Sequence, residues 1–168
     1  MNDEIEPPPT GRRSAVQAEG RCACGGVRFE IDVPAVWAWH DHGEASRHAQ
    51  GCAYATYVGS WKSRFRMLEG DALVSRYEER QTGSVRSFCQ RCGTPLFYER
   101  KRAPKILNIP RALFETRTGR EPRYHLNLGE APDWAWRQEP LEPLKGFPGV
   151  MWARPRRSRR AAPPEPMF

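Results

Sequence analysis

The sequence predicts a mainly β protein of short antiparallel strands, and three observations carry the prediction. Apolar residues recur at every second position in several segments, the period of a strand with one buried face. Sixteen prolines and fourteen glycines interrupt the chain too often for long helices. Two compact cysteine pairs sit next to predicted strands, where a metal crosslink would organise sheets of irregular shape.

Along the chain, residues 1–19 contain Pro7, Pro8 and Pro9, lack apolar periodicity and are expected to form a disordered leader. The first strand is predicted where Val27, Phe29, Ile31 and Val33 alternate with Arg28, Glu30 and Asp32. A helical turn is expected around Ala45–Ala55, leading into a strand over Ala53–Trp61. Arg64–Leu68 and Leu73–Tyr77 flank Glu69-Gly70-Asp71-Ala72, which reads as a hairpin turn. Ser84–Phe88, Leu96–Tyr98 and Ile106–Ile109 are further short strands, and Arg111–Glu115 a second helical turn. Residues 154–168 mix arginine, proline and alanine and are expected to be a disordered tail, leaving residues 20–153 as one folded domain.

Composition narrows the function. No apolar run reaches the 18 or so residues of a membrane helix. The acidic, proline-rich Met1–Pro9 is unlike a secretory signal, so a cytoplasmic protein is expected. The net charge of +7 is partly concentrated in Arg154, Arg156, Arg157, Arg159 and Arg160. Such a tail could engage an acidic partner, but it has no interleaved aromatics, so nucleic-acid binding is not the expected role.

The cysteines carry the chemistry. Five is an odd number, and Cys22 and Cys24 are too close in sequence for an unstrained disulfide. Cys22-Ala23-Cys24-Gly25-Gly26 and Cys89-Gln90-Arg91-Cys92-Gly93 each place two thiols on one tight turn, with glycines that allow positive φ. Two such turns brought together form a closed tetrahedral four-sulfur zinc site. Arg21, Arg28, Arg86 and Arg91 are candidates to offset its net negative charge. A redox role for Cys89 and Cys92 is the rival reading, without the βαβ pattern that usually surrounds one.

Gly20-Arg21-Cys22-Ala23-Cys24-Gly25-Gly26-Val27-Arg28-Phe29 and Phe88-Cys89-Gln90-Arg91-Cys92-Gly93-Thr94-Pro95-Leu96-Phe97 resemble the glutathione-dependent formaldehyde-activating enzyme family. Arg123-Tyr124-His125-Leu126, Trp134 and Trp136 are similar to that family's ending. The resemblance implies several coiled β-sheets organised by zinc, with Cys22, Cys24, Cys89 and Cys92 as structural ligands. It also implies a carbon–sulfur lyase type of activity joining glutathione to formaldehyde, with a small thiol–aldehyde adduct as the bound molecule.

The family's catalytic zinc sits on a C-H-C-x-x-C motif. The segment matched to it here is Arg47-His48-Ala49-Gln50-Gly51-Cys52, where His48 and Cys52 are in register and Arg47 and Ala49 replace two cysteines. Three readings stand side by side. His40, Asp41, His42, His48 and Cys52 could form a mixed metal site with an open position. Cys52 could be a nucleophile with His48 as its base on one helical face. Alternatively these residues are an ordinary polar loop with a small buried cysteine. In that case the protein is a non-catalytic, zinc-stabilised binding module. The Trp37/Trp39 and Trp134/Trp136 pairs are expected to pack in the core, and His125 to be a packed histidine.

Overall fold

The computed structural model describes residues 16–80, 82–135 and 141–153. In chain order the strands are β1 (Gln17–Arg21), β2 (Arg28–Asp32), β3 (Trp37–Asp41), β4 (Ala55–Trp61), β5 (Phe65–Glu69) and β6 (Val74–Glu79). They continue with β7 (Ser84–Cys89), β8 (Pro95–Arg100), β9 (Ala103–Pro110), β10 (Tyr124–Leu126), β11 (Leu141–Pro143) and β12 (Met151–Ala153). A short helix, α1 (Glu44–Gln50), lies between β3 and β4. The mainly β expectation holds, and no helix among the described residues is long and apolar enough to cross a membrane.

The chain divides into two compact units, where the sequence suggested one domain. The first comprises the described residues within Met1–Trp37 together with Val58–Arg120; the second, those within Ala38–Tyr57 together with Glu121–Phe168. The division follows from pairing. The second unit's first segment pairs β3 with the nearby start of β4 on one side and with β10, near the end of the chain, on the other.

In the first unit, β1, β2 and β5 form a three-stranded antiparallel sheet. The end of β4 and strands β9, β8, β7 and β6 lie in order in another. Phe29 of β2 is fully buried, stacking on Phe65 at 5.5 Å and meeting Phe114 edge-on at 5.5 Å. Phe65 continues the cluster to Phe97 at 5.4 Å. Such packing fixes which face of each strand turns inward.

Two expectations need correction here. Gln17, Ala18 and Glu19, assigned to the leader, begin β1. Small residues make this edge possible: Ala18 is buried without an apolar run, and Gly20 lies so close to Phe29 that a Cβ would come within 2.6 Å of its ring. Residues 1–15 of the proposed leader and the arginine-rich tail fall outside the described residues. The predicted hairpin also fails, although strands flank the turn as expected. β5 pairs with β2 and β6 pairs with β7, because Gly70 (φ 77) and the 3-10 turn Asp71–Leu73 send the chain from one sheet to the other.

In the second unit the strand order is β11, β12, β10, β3 and the start of β4. The pairing of β10 with β3 is parallel, an exception to the expected antiparallel pattern. Trp39 is buried and tilts against Tyr57 at 5.6 Å, as expected of a core indole. Trp37 departs from that expectation, being 49% exposed, and Trp134 is exposed as well. Trp136 lies outside the described residues.

Candidate metal centre and histidine cluster

The first unit brings Cys22, Cys24, Cys89 and Cys92 together, with all four sulfurs within 4.8 Å of one another. The two turns are built alike. After β1, the Gly25 N–H donates to the Cys22 carbonyl at 3.0 Å; after β7, the Gly93 N–H donates to the Cys89 carbonyl at 2.8 Å. Both glycines take φ near 73°, which a side chain would resist. The Val27 N–H points at the Cys22 sulfur at 3.3 Å. Thr94 ties the two turns together: its hydroxyl accepts from the Ala23 N–H at 3.1 Å and lies 3.1 Å from the Cys92 sulfur.

The sulfurs fit zinc. Cys22 and Cys24 are 3.5 Å apart and Cys24 and Cys89 are 4.0 Å apart. Four ligands near 2.3 Å from a tetrahedral zinc lie about 3.8 Å apart. Electrostatics agrees, since four thiolates this close repel unless a cation sits among them. The Thr94 side chain and then its backbone N–H pull the Cys92 thiol down to about 5. At Cys24 the Gly26 N–H favours the thiolate, yet the neighbouring sulfurs, Cys22 first, outweigh it and push the thiol up to about 11.

The arginines expected to offset the centre's charge are mostly engaged elsewhere. Arg21 pairs with Glu115, Arg28 with Glu19 and Glu69, and Arg86 with Glu79. Arg91 lies over Gly26, beside the first turn.

In the second unit, α1 carries His48 and ends at Gln50; Gly51 turns left-handed (φ 61), so Cys52 lies just beyond the helix. His48 is exposed and lies 4.0 Å from the Glu44 carboxylate one turn earlier. Cys52 is half-buried, and burial raises its thiol above the ordinary range.

Asp41-His42-Gly43-Glu44-Ala45-Ser46 puts a histidine at the second position of C-H-C-x-x-C with no cysteine at the other three, and its outer residues converge. Asp41 accepts from the Gly43 N–H at 3.0 Å and the Asn127 amide at 2.8 Å on one oxygen, and from the Ser46 hydroxyl at 2.9 Å on the other. Arg47 donates to the His42 carbonyl at 3.0 Å and the Glu130 carbonyl at 3.3 Å. Hydrogen bonds close the strand–helix corner where the spacing would place thiolates.

Beside this corner three imidazoles gather. His42 Nε2 lies 2.9 Å from His125 Nδ1, and the His40 ring is 4.8 Å from the His125 ring between centroids. Tyr54 touches His40 and His42 at 5.0 and 5.1 Å. His40 Nδ1 is 2.9 Å from the Thr56 hydroxyl. Burial first, then repulsion from His125 and His42, lowers His40 to about 4. His125 was legible only as a packed residue, because its partners are distant in sequence and meet it through parallel pairing with β3.

The shift at His40 has a testable sign. The unfolded chain takes up this proton near pH 6.5, the folded chain only near 4. Between those values the unfolded state holds more protons, so stability is full above about pH 6.5 and falls as pH drops toward 4. With partial solvent exposure discounted, about 1–3 kcal/mol is expected. Urea midpoints against pH should therefore fall less steeply across this window in His40→Gln than in the parent; equal slopes would refute it.

Comparison with known proteins agrees with the metal-centre geometry. A family model described as glutathione-dependent formaldehyde-activating enzyme matches residues 17–130. A Halomonas elongata protein described as a putative glutathione-dependent formaldehyde-activating enzyme is 28% identical over 123 residues, covering 69% of this chain and 78% of that one. A crystal structure of a Rhodobacter sphaeroides protein shares the fold with a TM-score of 0.50 at 22% identity, covering 59% of this chain and 89% of the other. The chain belongs to the glutathione-dependent formaldehyde-activating enzyme family.

Proposed function

We propose that the protein catalyses thiol–aldehyde adduct chemistry, adding a thiol such as glutathione to formaldehyde or another small aldehyde, on a fold held by one structural zinc. The observation that carries the proposal is the convergence of the four sulfurs in a chain of this family. Cys22, Cys24, Cys89 and Cys92 would hold the zinc. When bound, the metal supplies charge neutralisation and a crosslink between the two turns; four protein sulfurs leave it no vacancy for substrate.

The reaction itself needs one proton moved. The thiol gives up its proton, sulfur bonds to the aldehyde carbon, and the carbonyl π pair moves to oxygen, which is then protonated. A neutral imidazole is suited to take the first proton. His40, kept neutral first by burial and then by repulsion from His125 and His42 down to about pH 4, fits that role at physiological pH. Cys52 is the one thiol outside the metal centre, and Cys52 with His48 is the competing assignment.

Exchange NMR with carbon-13 formaldehyde and glutathione tests this reading, with adduct formation expected to speed up at least tenfold over buffer. Acceleration lost in His40→Gln but kept in Cys52→Ala would place the proton transfer on the imidazoles. The reverse result would favour Cys52 with His48. No acceleration by the unmodified chain would refute the activity and leave a zinc-stabilised binding module.

A further inference from the structure

We infer that His40, His42 and His125 form a second metal site, separate from the four cysteines, which takes one zinc or similar borderline divalent ion through three imidazole nitrogens. The sheet geometry carries this. His40 and His42 are alternate residues on and just beyond β3, so their side chains leave the same face of the sheet. His125 stands opposite His40 on the neighbouring parallel strand β10. The His42 N–H donates to the Leu126 carbonyl at 3.0 Å, which extends the pairing past the end of β3 and holds all three residues in register. Two ligands from one strand and a third from its neighbour is a rigid way to present three imidazoles to one ion.

The distances suit the chemistry. His42 Nε2 and His125 Nδ1 are 2.9 Å apart, in a contact that one shared proton can bridge. Two nitrogens each 2.0–2.1 Å from a tetrahedral zinc lie about 3.3 Å apart, so a cation could take the place of that proton with a small separation of the rings. His40 has the secondary contact typical of a ligand. Its Nδ1 meets the Thr56 hydroxyl at 2.9 Å, which orients the ring and leaves Nε2 for the metal. Among the described residues, only the four cysteines have donor atoms within 4.8 Å throughout, so metal binding would draw the imidazoles inward from their present spacing.

The other candidate ligands drop out on their contacts. Both Asp41 oxygens are committed to the strand–helix corner, and His48 lies out on α1 beside Glu44. Three imidazoles leave a fourth position for water or a thiol, unlike the closed four-sulfur centre.

An ion on His40 Nε2 would occupy the nitrogen that the activity reading uses as base, so the two roles belong to different states of the protein, and this one is tested by metal uptake alone. The purified full chain, with its four-thiolate centre loaded with zinc, is titrated with Co²⁺ and followed in the visible and near-ultraviolet. One added equivalent is expected, with visible d–d bands but no sulfur-to-cobalt charge transfer. Affinity should fall at least tenfold in His125→Ala and in the milder His40→Gln, and stay unchanged in Cys52→Ala. No uptake beyond the cysteine centre, uptake with thiolate charge transfer, or uptake unaltered in folded His40→Gln would each overturn it.

Discussion

Replacing Cys89 with serine should abolish zinc binding at the proposed four-cysteine centre and with it the cooperative folding of the first unit. Cys89 is fully buried at the end of β7, so the variant loses a ligand where no outside donor can replace it. Structural zinc in small domains is worth about 10–16 kcal/mol of apparent binding free energy, comparable to the whole net stability of a domain at about 5–15 kcal/mol. A zinc there would also join the turn after β1 to the turn after β7, so its loss would release both. Metal analysis should find the zinc equivalent gone, and calorimetry should find no transition near the parent's. The matching change at half-buried Cys52 should cost roughly 1 kcal/mol or less. A Cys89→Ser protein with one zinc and an unchanged melt would refute the assignment of this centre.

Gly70→Ala should be nearly as damaging, although Gly70 bears no chemistry. A Cβ there would sit 1.9 Å from the carbonyl oxygen of Gly26, and φ is +77°. Gly26 belongs to the first cysteine turn, so the clash would press backbone against backbone beside Cys24. The left-handed conformation alone costs about 1–2 kcal/mol for a non-glycine residue, and displacing the turn should bring the total to about 3 kcal/mol or more. Gly25→Ala makes a close control. It has nearly the same φ, +73°, with nothing within 4 Å of the added carbon, so about 1 kcal/mol is expected. Denaturant unfolding read together with zinc competition should separate the two. Equal losses would show that the contact with Gly26 contributes nothing.

The readable parts of this chain were its local ones. Period-two patterning found β2, which buries one face over five residues, whereas β8 and β9 were readable as short apolar runs that the structure buries consecutively. The cysteine pairs were readable because each pair shares one turn and the turns announce themselves by glycine. What the sequence hid depends on distant pairing. The strands either side of Gly70 look like a hairpin locally, but each has a better partner elsewhere. β1 was missed because Ala18 and Gly20 bury through smallness rather than hydrophobicity. The corner between β3 and α1 also gave no signal, because the Asp41 carboxylate closes it through the Gly43 N–H and the Ser46 hydroxyl, contacts that no motif announces. His125 gave no local signal, since its neighbours lie across a parallel strand pair.

The division of the chain into units imposes an order on its synthesis. The first unit begins at the N-terminal side, is interrupted by Ala38–Tyr57, and resumes with Val58–Arg120. All four cysteines are therefore joined to the chain before His125. At a few to about twenty residues per second, seconds separate the synthesis of Cys92 from that of β10. During that interval His40 and His42 belong to a segment that has β4 but still lacks β10. A chain stopped just after Arg120 would thus have every cysteine of the proposed zinc centre and yet leave the two early histidines waiting for the third.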